Sequence, residues 1–181
     1  MFKRLWSGTA LVLLSATLAS AQPKDLQVLK SVVSKVDGYT RFTIFDDISA
    51  NVKDGVVTLS GKVTMPYKRD DIARRVAKAD GVVSVVDHID VLPVSQFDDE
   101  LRYRIARSIY GNSNFWNYAI MPNPPIHIVV EHGRVTLTGV VNSNMDRVLA
   151  RSLATQFGAF SVTNELKTDA EMQALLEKQS E

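Results

Sequence analysis

The chain has 181 residues, of which 45% are hydrophobic and 23% charged, and a formal net charge of +1 at pH 7. This composition is ordinary for a globular protein and excludes a disordered chain or a polytopic membrane protein. The chain contains no cysteine, which excludes disulfides, thiolate chemistry and lipid attachment at a cysteine. Its length suits a pair of compact modules of roughly 70 residues each.

The first 21 residues have the pattern of a cleavable signal peptide. Lys3 and Arg4 give a positive start, residues 10–18 are apolar, and Ala19-Ser20-Ala21 has the small residues that signal peptidase requires. The apolar stretch is shorter than the about 20 residues that span a bilayer, so a retained anchor is the weaker alternative. We expect export to the periplasm, with Gln22 as the first residue of the mature chain.

Cleavage would leave 19 basic and 20 acidic residues, a formal charge of −1. A nucleic-acid-binding protein normally carries a basic surplus, so nucleic acid is not an expected partner.

An internal repeat organises the rest of the chain. Its first part is an amphipathic helix with apolar residues at four-residue spacing. These residues recur 73 positions later, first as Val28, Val32 and Val36, then as Leu101, Ile105 and Ile109.

A β-hairpin follows in each copy. The segment ISANVKDGVVTLSG from Ile48 matches IHIVVEHGRVTLTG from Ile126, at an offset of 78. Asp54-Gly55 and His132-Gly133 are predicted to form the tight turns, since glycine supplies the positive φ that such turns require. Strand propensity disfavours Gly61 and Gly139 at the strand ends, which indicates a bulge or a close helix approach.

A second helix and a third strand complete each copy, with residues 71–91 matching 148–168 at an offset of 77. The pattern predicts large buried side chains at Ile72 and Val76 and at Leu149 and Leu153. It predicts small side chains for close packing at Ala73, Ala77, Ala150 and Ala154. Gly81 and Gly158 are predicted to end the helices.

The sequence therefore predicts an α+β fold: a tandem α-β-β-α-β unit with two helices on one face of a three-stranded mixed sheet, because the crossover helix implies a parallel strand pair. We expect a signal peptide at 1–21, modules at 24–92 and 97–168, a linker at 93–96 and an acidic tail at 169–181. A linker this short favours packing of the modules against each other. The glycines expected to define the fold are Gly55, Gly61, Gly81, Gly133, Gly139 and Gly158.

The repeated unit resembles the BON domain family, named for bacterial osmotically induced and nodulation proteins. The resemblance rests on DGVVTLSG and HGRVTLTG, on the alanine-containing second helix, and on GVVSVVDHIDV and GAFSVTNEL after it. It implies a cell-envelope location and a role in phospholipid binding, envelope integrity or stress response. It implies no catalytic residues, no cofactor and no metal.

Possible chemical sites have simpler interpretations. The histidines, His88, His127 and His132, lack the spacing of a zinc or catalytic site, and a structural or solvent-exposed role is favoured. Of the paired carboxylates, one pair precedes a strand and two begin helices, where capping explains them better than acid–base catalysis. These pairs are Asp46-Asp47, Asp70-Asp71 and Asp98-Asp99.

Arg74, Arg75 and Lys78 form a basic cluster on the predicted second helix. A phosphate-binding stripe is one interpretation. A solvated face is the favoured one, because Asp70 and Asp71 stand four residues before the two arginines, at ion-pair spacing.

Aromatic loops between the first helix and the first strand are the best candidates for a site. Phe42 and Phe45 match Phe115 and Tyr118 at the offset of 73, which favours a shared role in the core. The loop of the second module carries further apolar residues and about five extra positions. Such residues suit a lipid interface or a protein contact, and the alternative is that they seal the junction between modules. The candidate binding residues are Phe115, Trp116, Tyr118, Ile120 and Met121.

The leading hypothesis is a non-catalytic envelope protein that associates with a phospholipid membrane or with envelope components. The alternative is a periplasmic chaperone-like or structural protein-interaction module without lipid affinity. In the tail, Met172, Leu175 and Leu176 have helical spacing, so either a short docked helix or a loose segment is compatible with it.

Overall fold

A computed structural model describes residues 24–155 and 158–179 of the chain. The predicted signal peptide at 1–21 lies outside the described residues. The elements in order are α1 (Lys24–Asp37), β1 (Asp47–Lys53), β2 (Val56–Val63), α2 (Pro66–Val76), β3 (Ser84–Val91), α3 (Gln96–Tyr110), a short 3-10 turn (Ser113–Phe115), α4 (Trp116–Ala119), β4 (Ile126–Glu131), β5 (Arg134–Val141), α5 (Asn144–Ala154), β6 (Ser161–Asn164), β7 (Lys167–Thr168) and α6 (Asp169–Gln179).

Each module contains the predicted mixed sheet. The strand order is β1-β2-β3 in the first module and β4-β5-β6 in the second, with β7 pairing beside β5. The hairpin strands are antiparallel, and the strand after the crossover helix runs parallel to the second hairpin strand. The α-β-β-α-β unit and the parallel pair are therefore confirmed.

The opening helices bury the stripe that the repeat predicted. Val28, Val32 and Val36 are buried in one module, and Leu101, Ile105 and Ile109 occupy the equivalent places in the other. The two cores are separate clusters, one in each module, and Phe45 of the first module packs against the cluster of the second. Each fully buried side chain of this size contributes about 1.5–3 kcal/mol through loss of apolar surface.

The second helices differ from the prediction by one position. Ile72 and Val76 are fully buried in α2, but in α5 the fully buried residues are Ala150 and Ala154, 78 positions later. Leu149 and Leu153 only pack at the edge of their core, and Ala77 is exposed. The two helices therefore correspond at a sequence offset of 78 residues. The offset becomes 77 only in the turn that follows them.

The helix boundaries also differ from the prediction. α2 begins at Pro66, so Asp70 and Asp71 lie within the helix rather than at its start. α2 and α5 end at Val76 and Ala154, before the glycines expected to end them. Positive φ angles are present at Gly55, Gly61, Gly81, Gly133, Gly139 and Gly158.

A close approach of the neighbouring backbone explains why glycine stands at positions 61 and 139. A Cβ on Gly61 would lie 2.1 Å from the carbonyl oxygen of Asp47, and one on Gly139 would lie 1.8 Å from that of Pro125. The approaching backbone is Asp47, the first residue of β1, in one module and Pro125, the residue before β4, in the other. It is not the helix that the sequence suggested as one alternative. A side chain at either position would push the hairpin strands apart.

Both hairpin turns consist of two residues with positive φ, at 52° and 76° for Asp54-Gly55 and 51° and 71° for His132-Gly133. These angles are those of a type I′ turn, whose twist matches the twist of the strands. The predicted tight turns are thus present in both copies.

A carboxylate from each opening helix holds the turn. Asp25 accepts hydrogen bonds from the backbone N–H groups of the Asp54-Gly55 turn at 3.0 and 3.1 Å. Asp98 accepts from His132 at 2.9 Å and from Gly133 at 2.8 Å, and it is buried. The cap of α3 is Ser95, whose hydroxyl accepts from the Asp98 N–H, so the carboxylate of Asp98 serves the hairpin rather than the helix end predicted from sequence.

The acidic tail begins as a helix, α6. The Thr168 hydroxyl accepts from the Glu171 N–H at 3.3 Å, and the Glu171 carboxylate accepts from the Thr168 N–H at 2.9 Å. This reciprocal pair is a capping box. Arg147 of α5 also donates to Glu171 at 2.9 Å, which docks the first turn of α6 on the second module.

Replacing Asp98 with alanine should destabilise the protein by about 3 kcal/mol, because two turn N–H groups lose a charged acceptor in a buried place. Asp25→Ala should cost only about 1 kcal/mol, since its site is less buried than that of Asp98. Urea unfolding followed by circular dichroism measures both. Glu100→Ala, on the exposed side of the same α3 turn, is the control and should leave stability nearly unchanged. Equal losses for Asp25→Ala and Asp98→Ala would contradict the argument.

Candidate functional site

The candidate loop leaves α3 through a short helical segment. The Asn112 side chain accepts a hydrogen bond from the Asn114 N–H at 3.0 Å and caps the 3-10 turn that precedes α4. In a helix successive side chains are about 100° apart, so residues three apart share a face and the two residues between them point elsewhere. One helical turn therefore sorts the aromatic side chains of this loop into two sets.

The inward set is Phe115 and Tyr118, which are buried in the core of the second module. The Tyr118 hydroxyl donates to the Asp146 carboxylate at 2.8 Å and accepts from the Asn142 N–H at 2.8 Å. Burial raises the pKa of Tyr118 to about 12, and the Asp146 carboxylate acts in the same direction. These two residues are corrected from candidate contact residues to anchors of the loop, because their rings cannot reach a ligand.

The outward set is exposed. Trp116 is 65% exposed, Ile120 63% and Met121 44%. Pro122 and Asn123, which follow, are exposed as well. The alternative that this apolar set seals the junction between modules is wrong for Trp116, Ile120 and Met121.

The aromatic loop of the first module forms the junction instead. Phe45 packs edge-on against Tyr103 of α3, with ring centroids 5.2 Å apart, and Phe42 lies 5.4 Å from the ring of His127. The predicted core role of Phe42 and Phe45 is confirmed in part: both are half-buried, and Phe42 packs against the core of the first module and Phe45 against that of the second. Both rings also join the modules. Their side chains meet the second module because the loop runs along its edge strand.

Backbone contacts complete this junction. The Ile128 N–H of β4 donates to the Ile44 carbonyl at 2.6 Å, and His127 Nδ1 lies 2.6 Å from the carbonyl oxygen of Asp46. Since β1 and β4 are edge strands of their sheets, the junction covers backbone groups that would otherwise be open to another chain. Asn123 at the base of the candidate loop donates to the carbonyl of Asp37 at 3.0 Å.

A family profile for the BON domain matches residues 29–93 and 98–170, which is most of the chain. This chain belongs to the BON domain family. Proteins of this family are often associated with the cell envelope and are generally non-catalytic.

No curated protein matches the chain. Among solved structures, CdsD, a structural protein of the Type III secretion system of Chlamydia trachomatis, aligns with 13% identity, a TM-score of 0.29 and coverage of 83% of this chain and 97% of that one. The C-terminal domain of CdsD aligns with 12% identity, a TM-score of 0.26 and coverage of 75% and 96%.

Within the described parts of this BON-domain chain, no helix has the length and apolar character needed to cross a membrane. Residues 24–155 and 158–179 also contain no group of three or more histidine and carboxylate side chains placed to hold a metal ion.

The first BON domain contains a buried ion pair that the sequence interpretation missed. Asp46 is fully buried and accepts from Lys68 Nζ at 2.6 Å and from the N–H groups of Thr43 and Thr64 at 2.8 Å. Burial raises the pKa of Asp46, but the hydrogen bonds from Lys68, Thr64 and Thr43 outweigh it, so its pKa is lowered overall. The pair fixes the junction loop, since Asp46 is also the residue whose carbonyl faces His127.

The sequence carried little sign of this pair. Asp46 and Lys68 are 22 positions apart, and a lysine in the first turn of an amphipathic helix is usually solvated. In the second domain the position equivalent to Thr64, at the offset of 78, is Asn142, whose N–H is bound by the Tyr118 hydroxyl. The two domains thus satisfy the same backbone donor with different side chains.

Because the pKa of Asp46 is lowered, the free energy of unfolding should depend on pH in the acid range. The pair contributes in full above the ordinary value of 3.8, and the contribution is lost as the pH falls through the lower pKa of the folded state. Asp46→Asn should cost about 3–5 kcal/mol at neutral pH by leaving Lys68 buried without its partner. It should also flatten the loss of stability below pH 3.8.

Urea unfolding at a series of pH values measures both effects. The control is Asp90→Asn, which changes an exposed carboxylate of β3 and should keep the acid dependence. An unchanged acid dependence in Asp46→Asn would contradict the assignment.

Proposed function

We propose that this BON-domain protein is a non-catalytic binding protein of the cell envelope that associates with phospholipid membranes through the exposed apolar loop of its second module. The observation that carries the proposal is the outward set of Trp116, Ile120 and Met121, held by a turn whose other face is buried. A maintenance or stress role in the envelope is the corresponding biological setting.

The support beneath the loop favours a site rather than a chance exposure. Phe115 and Tyr118 fix one side of the turn, and Asn123 ties its base to α1. A rigid support reduces the entropy lost on binding, so more of the interaction energy remains as affinity. Chain segments that merely tolerate exposed apolar residues do not need such anchoring.

The side-chain types suit a membrane interface. Tryptophan prefers the headgroup level of a bilayer, and isoleucine and methionine gain by leaving water for the acyl region. Transfer of three such side chains is worth roughly 5 kcal/mol before the costs of association. Binding of this strength is peripheral and reversible.

A protein client is the second candidate for the same surface. Tryptophan and methionine are enriched at protein interfaces, and a chaperone-like or structural protein-interaction role without lipid affinity would also use this loop. The location argument is common to both candidates, since it rests on the predicted signal peptide and on the family.

Tryptophan fluorescence offers a direct test. The chain contains two tryptophans, Trp6 and Trp116, so a chain starting at Gln22 keeps Trp116 as its sole tryptophan and retains every described residue. Vesicles of phosphatidylcholine, with and without phosphatidylglycerol, should shift its emission to the blue and carry the protein down in sedimentation. Ile120→Ala with Met121→Ala should weaken vesicle binding about tenfold or more, because two of the three exposed apolar side chains are truncated.

The matched control is Val94→Ala, which removes an apolar side chain that is 99% exposed in the connection between the modules. It should bind vesicles like the parent chain. If the Trp116 emission does not change with either vesicle, the lipid proposal fails. In that case, the protein-interaction candidate would be supported if the parent chain suppresses the aggregation of a client protein and Trp116→Ala does not.

A further inference from the structure

A second surface feature lies in the first module, where the end of α1 faces α2. A cleft of about 650 Å³ opens between the last turn of α1 with the residues after it and the outer face of α2. This volume falls within the roughly 300–1,000 Å³ of small-molecule sites. The described residues that line the cleft are Lys35, Tyr39, Thr40, Arg41, Asp71, Arg74, Arg75 and Lys78.

The lining is strongly basic. Among the described lining residues, five cations face one carboxylate, Asp71, which gives the side chains a formal charge of +4. The ends of α1 and α2 favour nearby cations, but each helix end carries only about half a negative charge. About three positive charges therefore remain beyond what the helix dipoles can balance. The near-neutral charge of the whole chain hides this local excess.

The single carboxylate is already engaged. Asp71 accepts from the Tyr39 hydroxyl at 2.7 Å and forms an ion pair with Arg74. The hydrogen bond from Tyr39 is the main reason that the pKa of Asp71 is lowered, with Arg74 adding to it. The ion pairs predicted at four-residue spacing are therefore wrong: Arg74 pairs with Asp71, three residues before it, and Asp70 pairs with Arg69. Arg75 lies over the Tyr39 ring instead.

Two arginines are positioned by aromatic rings. The Arg75 guanidinium lies over Tyr39, 4.8 Å from the ring centroid, and the Arg41 guanidinium lies over Tyr67 at 5.4 Å. Stacking uses the flat face of a guanidinium and leaves the N–H groups at its edge to bind an anion. Such pre-organised donors are typical of sites for planar carboxylate or for phosphate.

The fold does not require this charge. At the structural offsets of 73 for the first helix and 78 for the second, Lys35, Arg74 and Arg75 correspond to Ser108, Ser152 and Leu153. The second module keeps the same helices and sheet with neutral residues at all three places. The basic cleft is therefore a property of the first module alone.

We infer that this cleft is a binding site for a phosphate group, held by Arg41, Arg74, Arg75 and the two lysines. The guanidiniums donate hydrogen bonds to the phosphate oxygens, and Lys35 and Lys78 add charge at the rim. The inference goes beyond the proposed function, because a soluble phosphorylated molecule would occupy the cleft without any membrane. A phospholipid headgroup has the same chemistry, so the test separates the two sources.

The chain starting at Gln22 can be titrated with inorganic phosphate and with glycerol 3-phosphate, and followed by amide chemical shifts in NMR spectra. Shifts should concentrate at residues 35–41 and 71–78 and weaken as salt is raised, because the attraction is electrostatic. Arg74→Gln with Lys78→Gln should reduce the affinity at least about tenfold. Both side chains are exposed, so the fold should survive, which the dispersion of the spectrum verifies.

The control is Arg151→Gln, which removes one exposed arginine from α5 in the second module and should leave the titration unchanged. Absence of shifts at the cleft, or equal loss in the control, would overturn the inference. Vesicles with phosphatidylglycerol identify the source: if the cleft variant weakens vesicle binding, the headgroup is the ligand, and if only glycerol 3-phosphate binding falls, it is a soluble phosphate. Ile120→Ala with Met121→Ala should leave the phosphate shifts intact, which separates failure of this site from failure of the apolar loop.

Discussion

The rest of the structure depends on one constraint: a carboxylate of each opening helix accepts hydrogen bonds from the hairpin turn of its own module. A type I′ turn points two backbone N–H groups in one direction, and the carboxylates of Asp25 and Asp98 accept both. Because a helix is thereby fixed to the sheet at one end, its apolar stripe meets the sheet in a single register. The loop that leaves the other end of the helix then starts from a defined place. That loop is where the two modules differ: it forms the junction in the first module and exposes apolar side chains in the second.

The two loops differ because different side chains bind the equivalent backbone N–H group in the two modules. In the first module a carboxylate, Asp46, binds the N–H of Thr64 and is itself neutralised by Lys68. In the second module the Tyr118 hydroxyl binds the equivalent N–H of Asn142. The first solution holds its loop flat along the neighbouring module, where its phenylalanines form the junction. The second needs a helical turn to bring the tyrosine inward, and the same turn exposes Trp116.

The end of α1 brings the two proposed binding features together. Asn123, at the base of the apolar loop, donates to the carbonyl of Asp37, which lies between Lys35 and Tyr39 of the basic cleft in the chain. Each feature nevertheless has its own structural basis, since the cleft is built from α1 and α2 and the loop from the segment after α3. The duplicated domain thus supports two different surfaces on one framework.

The sequence by itself determined the repeat, the α-β-β-α-β order, the positions of the tight hairpin turns and the buried stripe of the opening helices. These follow from local periodicity and from glycine, and both copies carry the same pattern. The sequence did not reveal the one-residue offset in the second helix, because Leu149-Ala150 and Leu153-Ala154 are adjacent pairs and either member of each pair is compatible with a buried face. Only the tertiary structure decided which aromatic residues are anchors, which join the modules and which face solvent. It also assembled the Asp46–Lys68 pair and the basic cleft, since these depend on contacts between residues more than 20 positions apart, which no local pattern records.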